Sequence, residues 1–551
     1  MTNIFYPWFK LDALSGFVAL AIAAFSVLIL VYSFKFRKGK PQAAQYYVYV
    51  VLTALVAIGT VLANNLILLL ICWGFLGLTL YLLIAMGNDE SSLAAKKTFI
   101  IVGGTDALML FGIGIIYYLT GTFQIDKIKI ALSTNYYLLP TLAYLCLAIA
   151  CFAKAGAMPF HSWIPDCAKS APIPVVAFLP ASLDKLLGIY LLTRISLNLF
   201  TMNQALNIFL MITGAFTIIA AVMMALVQHN MKRLLGYHAV SQVGYMVLGI
   251  GTGNPIGIAG GIFHMLNHAV YKSCLFLTAG NVEYRTKTSE LDELGGLSKS
   301  MPITFISSLV ASLSISGVPP FNGFVSKWMI YQGLVSLLGA GNQTLRIIAI
   351  FSLAAAMFGS GLTLASFMKL IHAVFLGRKT NRQVKEVSWQ MWLPCLILAI
   401  TCVVFGVLAY QIPLKYFIFP AIKGVSFIGT WSALLSTWLI IISLVLGFLI
   451  FKLKGLKFVV RQDSSFTGSE TRDIQENKIS GTDFYNTIKE LPVLALIYKK
   501  AQAGLFDIYE QGKNLVFSIG SAFQYLHNGI LPTYLVWCLL GMVGLFWVLL
   551  R

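Results

Sequence analysis

The sequence predicts an all-α polytopic membrane protein with about 14 transmembrane helices, each about 20 residues long. Of its 551 residues, 58% are hydrophobic and only 11% are charged, which is not the composition of a soluble protein of this size. Apolar runs long enough to cross a bilayer as a helix recur along the whole chain. The short alternating strands typical of a membrane barrel do not occur in the sequence.

The predicted spans follow one another with short loops. They are 12–34, 47–63, 66–86, 98–118, 141–163, 175–194, 205–228, 235–252, 257–280, 302–333, 343–376, 391–411, 433–453 and 531–550. The first is too long for a signal peptide, so we expect a retained helix and its basic loop over 1–45. Additional transmembrane helices are expected over 391–453.

The net charge of +19 is concentrated in alternate short loops rather than spread over the chain. The basic residues in these loops are Lys35, Arg37, Lys38, Lys40, Lys96, Lys97, Lys232, Arg233, Arg285, Lys287, Lys299, Arg378, Lys379, Arg382 and Lys385. Cytoplasmic loops of membrane proteins carry this excess of Lys and Arg. The pattern predicts a multi-pass protein of the cell membrane with both termini outside, and it argues against nucleic acid as a partner.

Two overlong spans are interrupted by prolines. Pro159 interrupts the first, shortly after Lys154, and Pro319-Pro320 interrupts the second, shortly before Lys327. Paired interruptions in two halves of a transporter indicate inverted repeats with a site near the middle of the bilayer. We therefore expect two inverted five-helix repeats, each with one broken helix, over 46–195 and 205–378.

Three lysines, Lys154, Lys272 and Lys327, lie deep inside apolar stretches. An ionisable group at that depth disfavours insertion by roughly 2.5–3.5 kcal/mol, so it is interpreted first as functional. Lysines near helix ends can instead extend to the membrane surface. Together with the broken helices, these lysines predict a path for protons or other cations.

Two histidines and one of these lysines share a helix face, because His264, His268 and Lys272 are spaced i, i+4, i+8. Neighbouring side chains at that spacing lie about 6 Å apart, which permits proton transfer directly or through one water. Two core histidines or a metal-binding pair are the alternatives. The sequence has no HExxH motif at this pair and no carboxylate beside it, so we favour a proton relay.

Four further polar residues lie within apolar helices: Asp106, Asp184, Lys185 and His238. A carboxylate near Lys154 would stabilise its charged form. Asp184 is a candidate counter-ion, with a structural ion pair as the alternative, and His238 is a candidate bridge between two half-channels. The eight cysteines form no cluster with metal-ligand spacing, so no cofactor or metal is expected on this chain.

The C-terminal part changes character. Residues 454–482 are polar and predict a cytoplasmic loop, whereas 483–527 mix charges with apolar residues every three to four positions. That pattern predicts one long lateral amphipathic helix, with a short soluble cap as the alternative. An anchoring helix is expected over 531–551.

Four motifs resemble a known family, the antiporter-like subunits of respiratory complex I, Mrp cation/proton antiporters and membrane-bound hydrogenases. They are FAKAGAMPFHSWIPD, LVQHNMKRLLGYHAVSQVGYM, GIFHMLNHAVYKSCLFLTAG and LGGLSKSMPITF with GVPPFNGFVSKW, in the family's order over most of residues 11–378. The variant FLPASLDKLLGIYLLTR is most similar to the large membrane subunit of Ech-type energy-converting hydrogenases. The lateral helix and last span resemble the clamp-like extension of the distal complex I subunit.

The resemblance implies a membrane subunit that translocates H⁺, Na⁺ or both. Lys154 matches the family's pumping lysine, Lys327 the charged residue that governs exit to the outside, and Asp106 an aspartate beside the first lysine. It also implies a multisubunit redox complex in which other subunits carry iron–sulfur clusters and, in hydrogenases, a nickel–iron centre. This chain itself would carry no redox chemistry.

One position departs from the family pattern. Most proton-pumping members have glutamate after the tryptophan of the third span here, whereas Trp73 is followed by Gly74. Lys154 would then depend on Asp106, Asp184 or a neighbouring subunit. Two other functions stay open: a subunit of a stand-alone Na⁺/H⁺ antiporter, and a scaffold that no longer pumps. The SLDKLLG variant and the lateral helix favour the redox complex.

Overall fold

The computed structural model describes residues 8–132, 138–339, 341–377, 384–427, 429, 432–453, 482 and 485–550. Within these residues the chain forms 20 α-helices. They are α1 Ala13–Phe36, α2 Ala43–Leu62, α3 Leu66–Ile84, α4 Ser91–Thr120, α5 Leu138–Ala155, α6 Trp163–Ser170, α7 Ile173–Phe178, α8 Asp184–Arg194, α9 Gln204–Leu226, α10 Met231–Gly251, α11 Pro255–Thr286, α12 Pro302–Ser316, α13 Asn322–Ser336, α14 Gln343–Ile371, α15 Trp389–Val407, α16 Ala433–Leu453, α17 Asn486–Glu490, α18 Pro492–Gln502, α19 Ile508–Leu526 and α20 Leu531–Leu549. Two short strands, Ile130–Ala131 and Phe200–Thr201, pair in parallel.

Every predicted apolar run coincides with one helix or with consecutive helices. Among the described residues, 10 helices are long and apolar enough to cross a membrane. The prediction of a multi-pass helical membrane protein is therefore confirmed, while the count of 14 crossings stays a prediction. The two spans expected to be broken, 141–163 and 302–333, are each divided into two helices, α5–α6 and α12–α13.

Each of these breaks begins at a glycine with a left-handed backbone. Gly156 follows α5 with φ of 81°, and Gly317 follows α12 with φ of 80°. Glycine adopts this conformation without the steric penalty of a Cβ. At Gly156 the space is also occupied, since a Cβ there would overlap Ile164 Cδ1. The breaks are therefore encoded by glycine as well as by the prolines that follow.

A third interruption was not predicted. The expected single span 175–194 is divided between α7 and α8 by a π-helical turn, Leu179–Leu183. Pro180 has no backbone N–H and cannot continue regular helical bonding. The Ser182 hydroxyl instead donates to the Phe178 carbonyl at 2.6 Å. The wider turn immediately precedes Asp184 and Lys185, and such turns are frequent at functional sites.

Several basic loop residues are paired at helix ends. Lys97 and Arg233 both approach the Asp166 carboxylate, with N–O distances of 2.6 Å and 4.0 Å. Lys232 pairs with Glu283 at 2.7 Å. These pairs bring the ends of α4, α6, α10 and α11 to one side of the bundle. The basic residues Arg378, Lys379 and Arg382 lie outside the described residues.

The chain divides into two compact units, Met1–Glu490 and Leu491–Arg551. The predicted long lateral helix over 483–527 is wrong in its continuity, because the described part of that segment forms α17, α18 and α19. Pro492 begins α18, and Gly504, with φ of 77°, lies between α18 and α19. The predicted loop 454–482 lies outside the described residues except for Thr482.

Candidate ion-translocation site

Buried ionisable side chains come from six helices of the first unit. Eight of the nine predicted site residues are no more than 2% exposed: Lys154, Asp184, Lys185, His238, His264, His268, Lys272 and Lys327. The ninth, Asp106, is partly buried. Burying a charge is unfavourable unless it is paired, neutralised or hydrated. This concentration of ionisable groups in apolar helices makes them the candidate functional site.

Lys154 lies on the last turn of α5, just before the break at Gly156. Its Nζ has no hydrogen-bond partner among the described residues and lies 5.2 Å from the centre of the Trp73 ring. It interacts electrostatically with two carboxylates, Asp184 and Asp106. The ammonium group is therefore held by longer-range charge interactions rather than by a direct bond.

Asp106, on α4, faces the position where the family pattern has a glutamate. A Cβ on Gly74 would lie 4.0 Å from Asp106 Oδ2, and one on Gly77 would lie 3.8 Å from the same atom. Trp73, beside Lys154, also contacts this carboxylate. The absence of a side chain at Gly74 thus leaves room for Asp106 to approach the lysine from the neighbouring helix.

Asp184 and Lys185 begin α8, directly after the π turn. Asp184 interacts electrostatically with both Lys154 and Lys185. Lys185 Nζ lies 5.6 Å from the Trp163 ring centre, and a Cβ on Gly156 would lie 3.4 Å from it. The pair therefore lies against the break in the first broken helix.

Lys272 and His268 lie on α11. Lys272 Nζ has no hydrogen-bond partner among the described residues, and it interacts electrostatically with Lys185. Neither ring nitrogen of His268 makes a hydrogen bond of normal geometry in the described part of the chain. The Ala181 backbone carbonyl interacts with the ring electrostatically. Both side chains are thus without a direct hydrogen bond of normal geometry among the described residues.

His238, on α10, interacts electrostatically with both Lys272 and Lys327. Its Nε2 is 2.7 Å from Ser366 Oγ, and its ring lies 4.7 Å from that of Phe367. Lys272 Nζ lies 5.7 Å from the same Phe367 ring. The role of His238 as a bridge between two half-channels stays a prediction.

His264 differs from His268 because both of its ring nitrogens are engaged. Nδ1 lies 2.9 Å from Ser326 Oγ, and Nε2 lies 3.0 Å from Gln242 Oε1. The Tyr271 hydroxyl lies 3.2 Å from the same Nε2. Two of the three predicted relay groups on α11 are therefore without direct partners among the described residues, while the third is fixed.

Lys327, on α13, is bound to the end of the preceding half-helix. Its Nζ donates to the Ile315 carbonyl at 2.9 Å and to the Ser316 carbonyl at 3.5 Å. The same Nζ lies 4.6 Å from the Tyr245 ring centre. The carbonyls at the end of a helix lack partners within that helix, and the lysine satisfies two of them.

The nine predicted residues are thus connected by electrostatic interactions, which extend from Asp106 through Lys154, Asp184, Lys185, Lys272 and the histidines to Lys327. Sequence reasoning missed the hydrogen-bonding partners Gln242, Ser326 and Ser366. Gln242 lies within the apolar helix LLGYHAVSQVGYM, where a polar amide was a detectable signal. Among the described residues no group of three or more His, Cys, Asp or Glu side chains could hold a metal.

Residues 63–357 match the family model described as NADH:quinone oxidoreductase/Mrp antiporter, transmembrane, which is more than half of the chain. The chain belongs to this family. A Na⁺/H⁺ antiporter subunit of Alkalihalophilus pseudofirmus is 31% identical over 75% of this chain and 54% of its own length. Hydrogenase-4 component B of Escherichia coli is 28% identical over 73% of this chain and 62% of its own length.

Outside the region matched by the family model, this chain is also similar to a solved structure, and that similarity covers nearly the whole chain. A chain of the membrane-bound sulfane sulfur reductase, an archaeal respiratory membrane complex, matches with a TM-score of 0.80 and 25% identity. That match covers 98% of this chain and 89% of the other. The chain spans about half the length of the first curated relative, 54%. The predicted resemblance is confirmed.

Proposed function

We propose that this chain is the ion-translocating subunit of a redox-driven membrane complex, such as an energy-converting hydrogenase or a complex I relative. The observation that carries the proposal is the line of buried ionisable side chains from Asp106 to Lys327. Retaining that many groups in apolar helices is unfavourable, and a path for H⁺ or Na⁺ gives them a function. The near-complete match to a respiratory complex supports the redox setting.

The path has three sections. Asp106, Lys154 and Asp184 make up the first, beside the break after α5. Lys185, Lys272, His268 and His238 make up the second, which crosses between the two halves of the chain. His264 and Lys327 make up the third, beside the break after α12. When an excess proton enters one section, it favours the release of a proton from the next section, because like charges at short range in a low dielectric repel strongly.

The arrangement of helices in the membrane is part of the proposal. Fourteen crossings would form two inverted repeats over 46–195 and 205–378, with further helices over 391–453. The basic loops would face the cytoplasm and both termini the outside. The helices of 483–527, with 531–551 as an anchor, would brace the assembly against a sister subunit rather than conduct ions.

The partners in this proposal are other membrane subunits and peripheral subunits that carry iron–sulfur clusters and, in a hydrogenase, a nickel–iron centre. The alternative is a subunit of a stand-alone Mrp-type Na⁺/H⁺ antiporter, favoured by the identity to the Alkalihalophilus pseudofirmus antiporter protein. Purification of the native complex separates the two, because iron and nickel would accompany this chain only in the redox complex.

The test of translocation uses the assembled complex in sealed vesicles, with ion gradients followed during electron transfer. Lys154→Ala and Lys272→Ala should each abolish translocation while the complex still assembles. Repeating the assay with and without Na⁺ identifies the ion. If both variants pump at the wild-type rate, the proposed path is wrong and a scaffold function is favoured.

A further inference from the structure

The two histidines of α11 differ in a way that the helical spacing does not predict. His268 has no hydrogen bond of normal geometry at either ring nitrogen within the described residues, whereas His264 is fixed at both. A relay histidine must accept a proton at one nitrogen and release it from the other. The partners of His264 therefore decide which nitrogen can exchange.

Gln242 restricts one of these nitrogens. Its Oε1, 3.0 Å from His264 Nε2, is a carbonyl oxygen and can only accept a hydrogen bond. In this orientation of the amide, whose Nε2 has no hydrogen-bond partner among the described residues, His264 Nε2 carries the proton. The Tyr271 hydroxyl, 3.2 Å from Nε2, can accept from the same N–H and does not change this assignment.

Ser326 allows the other ring nitrogen, Nδ1, to gain and lose a proton. With neutral His264, the hydroxyl donates to Nδ1 at 2.9 Å. When a proton arrives at Nδ1, the ring becomes imidazolium and donates to Ser326 Oγ. The hydroxyl then turns to donate to the Gly323 carbonyl, 3.2 Å away. Loss of the same proton reverses both changes, so both charge states of the ring are fully bonded.

We infer that Gln242 and Ser326 are positioning residues that confine proton exchange by His264 to Nδ1, which makes His264 a gate rather than a through-relay. The inference rests on the proposed function. Ser326 is the residue directly before Lys327, so exchange at Nδ1 is directed to the second broken helix. A proton from the His268 side cannot pass through the ring unless the Gln242 bond breaks.

The first experiment measures the tautomer of His264 by ¹⁵N NMR of histidine-labelled complex, with His264→Asn to assign the signal. The wild type should show the Nε2–H tautomer. Gln242→Met keeps the length of the side chain but not its acceptor, and should shift the tautomer ratio roughly tenfold, the factor given by one net hydrogen bond. A wild-type Nδ1–H tautomer would overturn the inference.

The second experiment measures passive proton leak in vesicles without electron donor. Gln242→Met should raise the leak roughly tenfold, because both nitrogens can then exchange. Ser326→Ala should lower coupled translocation at least about fivefold, and Ser326→Thr, which keeps the hydroxyl, should restore it. Ser241→Ala is the control, since this buried hydroxyl on α10 donates to the Ile218 carbonyl and not to His264.

The outcomes separate this inference from the proposed function. If Lys154→Ala abolishes translocation but Gln242→Met changes neither the tautomer nor the leak, the gate is wrong and the path stands. If Lys154→Ala has no effect, the path fails, and the tautomer ratio alone then decides the role of Gln242. If Gln242→Met does not assemble, the Ser326→Ala and Ser326→Thr pair decides, and equal translocation by the two refutes the gate.

Discussion

The first broken helix, α5–α6, and the second, α12–α13, share a backbone plan but hold their lysines differently. Both first halves end at a glycine with φ near 80°, Gly156 and Gly317. Lys154 lies two residues before its glycine, whereas the residue two before Gly317 is Ile315. Lys327 instead comes from the second half and donates back to the Ile315 carbonyl at 2.9 Å.

The two lysines therefore differ in direct hydrogen bonding. Lys154 Nζ has no hydrogen-bond partner among the described residues and depends on charge interactions with two carboxylates. Lys327 has no such carboxylate neighbour in the described part of the chain, and its direct bonds are to helix-end carbonyls. Similar breaks therefore leave one buried ammonium group, that of Lys154, without a direct hydrogen bond among the described residues, and bind the other, that of Lys327, to helix-end carbonyls.

The largest expected effect comes from replacing each lysine by methionine. Lys154→Met and Lys327→Met should both reduce translocation at least about a hundredfold, the usual contribution of a proton-transferring side chain. Only Lys327→Met should also lower the free energy of unfolding, by about 1–3 kcal/mol, because it leaves bonded carbonyls without partners. Thermal unfolding of the purified variants measures this, and equal losses of stability would remove the distinction between the two lysines.

The next comparison uses the two glycines. Gly156→Ala and Gly317→Ala should each lose about 1–2 kcal/mol from left-handed strain. At Gly156 the new Cβ also overlaps Ile164 Cδ1, whereas at Gly317 it meets the flexible Lys327 Cδ at 3.0 Å. Overpacking should add about 1–3 kcal/mol at the first site only.

Thermal midpoints of the two alanine variants measure this difference. Gly104→Ala on α4 is the control, since a Cβ there meets nothing within 4 Å. If the Gly156→Ala and Gly317→Ala variants have the same thermal midpoint, the first break is not more tightly packed than the second.

Much of this comparison was predictable from the sequence, and the rest depended on three-dimensional neighbours. The two breaks follow from the prolines and glycines of the chain, and the candidate lysines and histidines follow from their charge in apolar surroundings. Local pattern could not reveal that Lys327 donates to Ile315, or that Gln242 fixes His264, because these contacts join different helices. The π turn before Asp184 was missed because hydrophobic periodicity does not distinguish it from a regular helix.

A smaller effect is expected from the carboxylates around Lys154. Asp184 interacts with two lysines and Asp106 with one, so Asp184→Asn should reduce translocation more than Asp106→Asn. We expect about a hundredfold loss for the first and about tenfold for the second. Gly74→Glu should recover part of the loss in Asp106→Asn, because a side chain at 74 projects toward the same carboxylate position.

Initial rates of ion uptake at a fixed rate of electron transfer measure all three variants. Gly104→Glu, at an open position on the same helix as Asp106, controls for adding a carboxylate elsewhere. Recovery by Gly104→Glu, or none by Gly74→Glu, would show that the position of the carboxylate beside Lys154 is not what matters.

The smallest expected effect lies outside the membrane, in the loop that leads from α11 toward the second broken helix. Partial burial would raise the pKa of Asp292, but hydrogen bonds from Thr482 and His229 hold that pKa below its usual range. The carboxylate lies 2.9 Å from His229 Nδ1 and accepts from the Thr482 hydroxyl. Nearby, the Tyr485 hydroxyl donates to the Ala365 carbonyl at 2.9 Å.

Because the pKa of Asp292 is lowered in the folded protein, this contact stabilises the fold above the ordinary carboxylate range, near pH 3.9, and is lost as the pH falls below it. Asp292→Asn should reduce stability by less than about 1 kcal/mol, since the group is half-exposed and screened by solvent. Hydrogen exchange should quicken around Thr482 and Tyr485 while translocation stays at the wild-type level. Reduced translocation would instead show that the second broken helix, unlike the first, responds to the contact of Thr482 with the loop after α11.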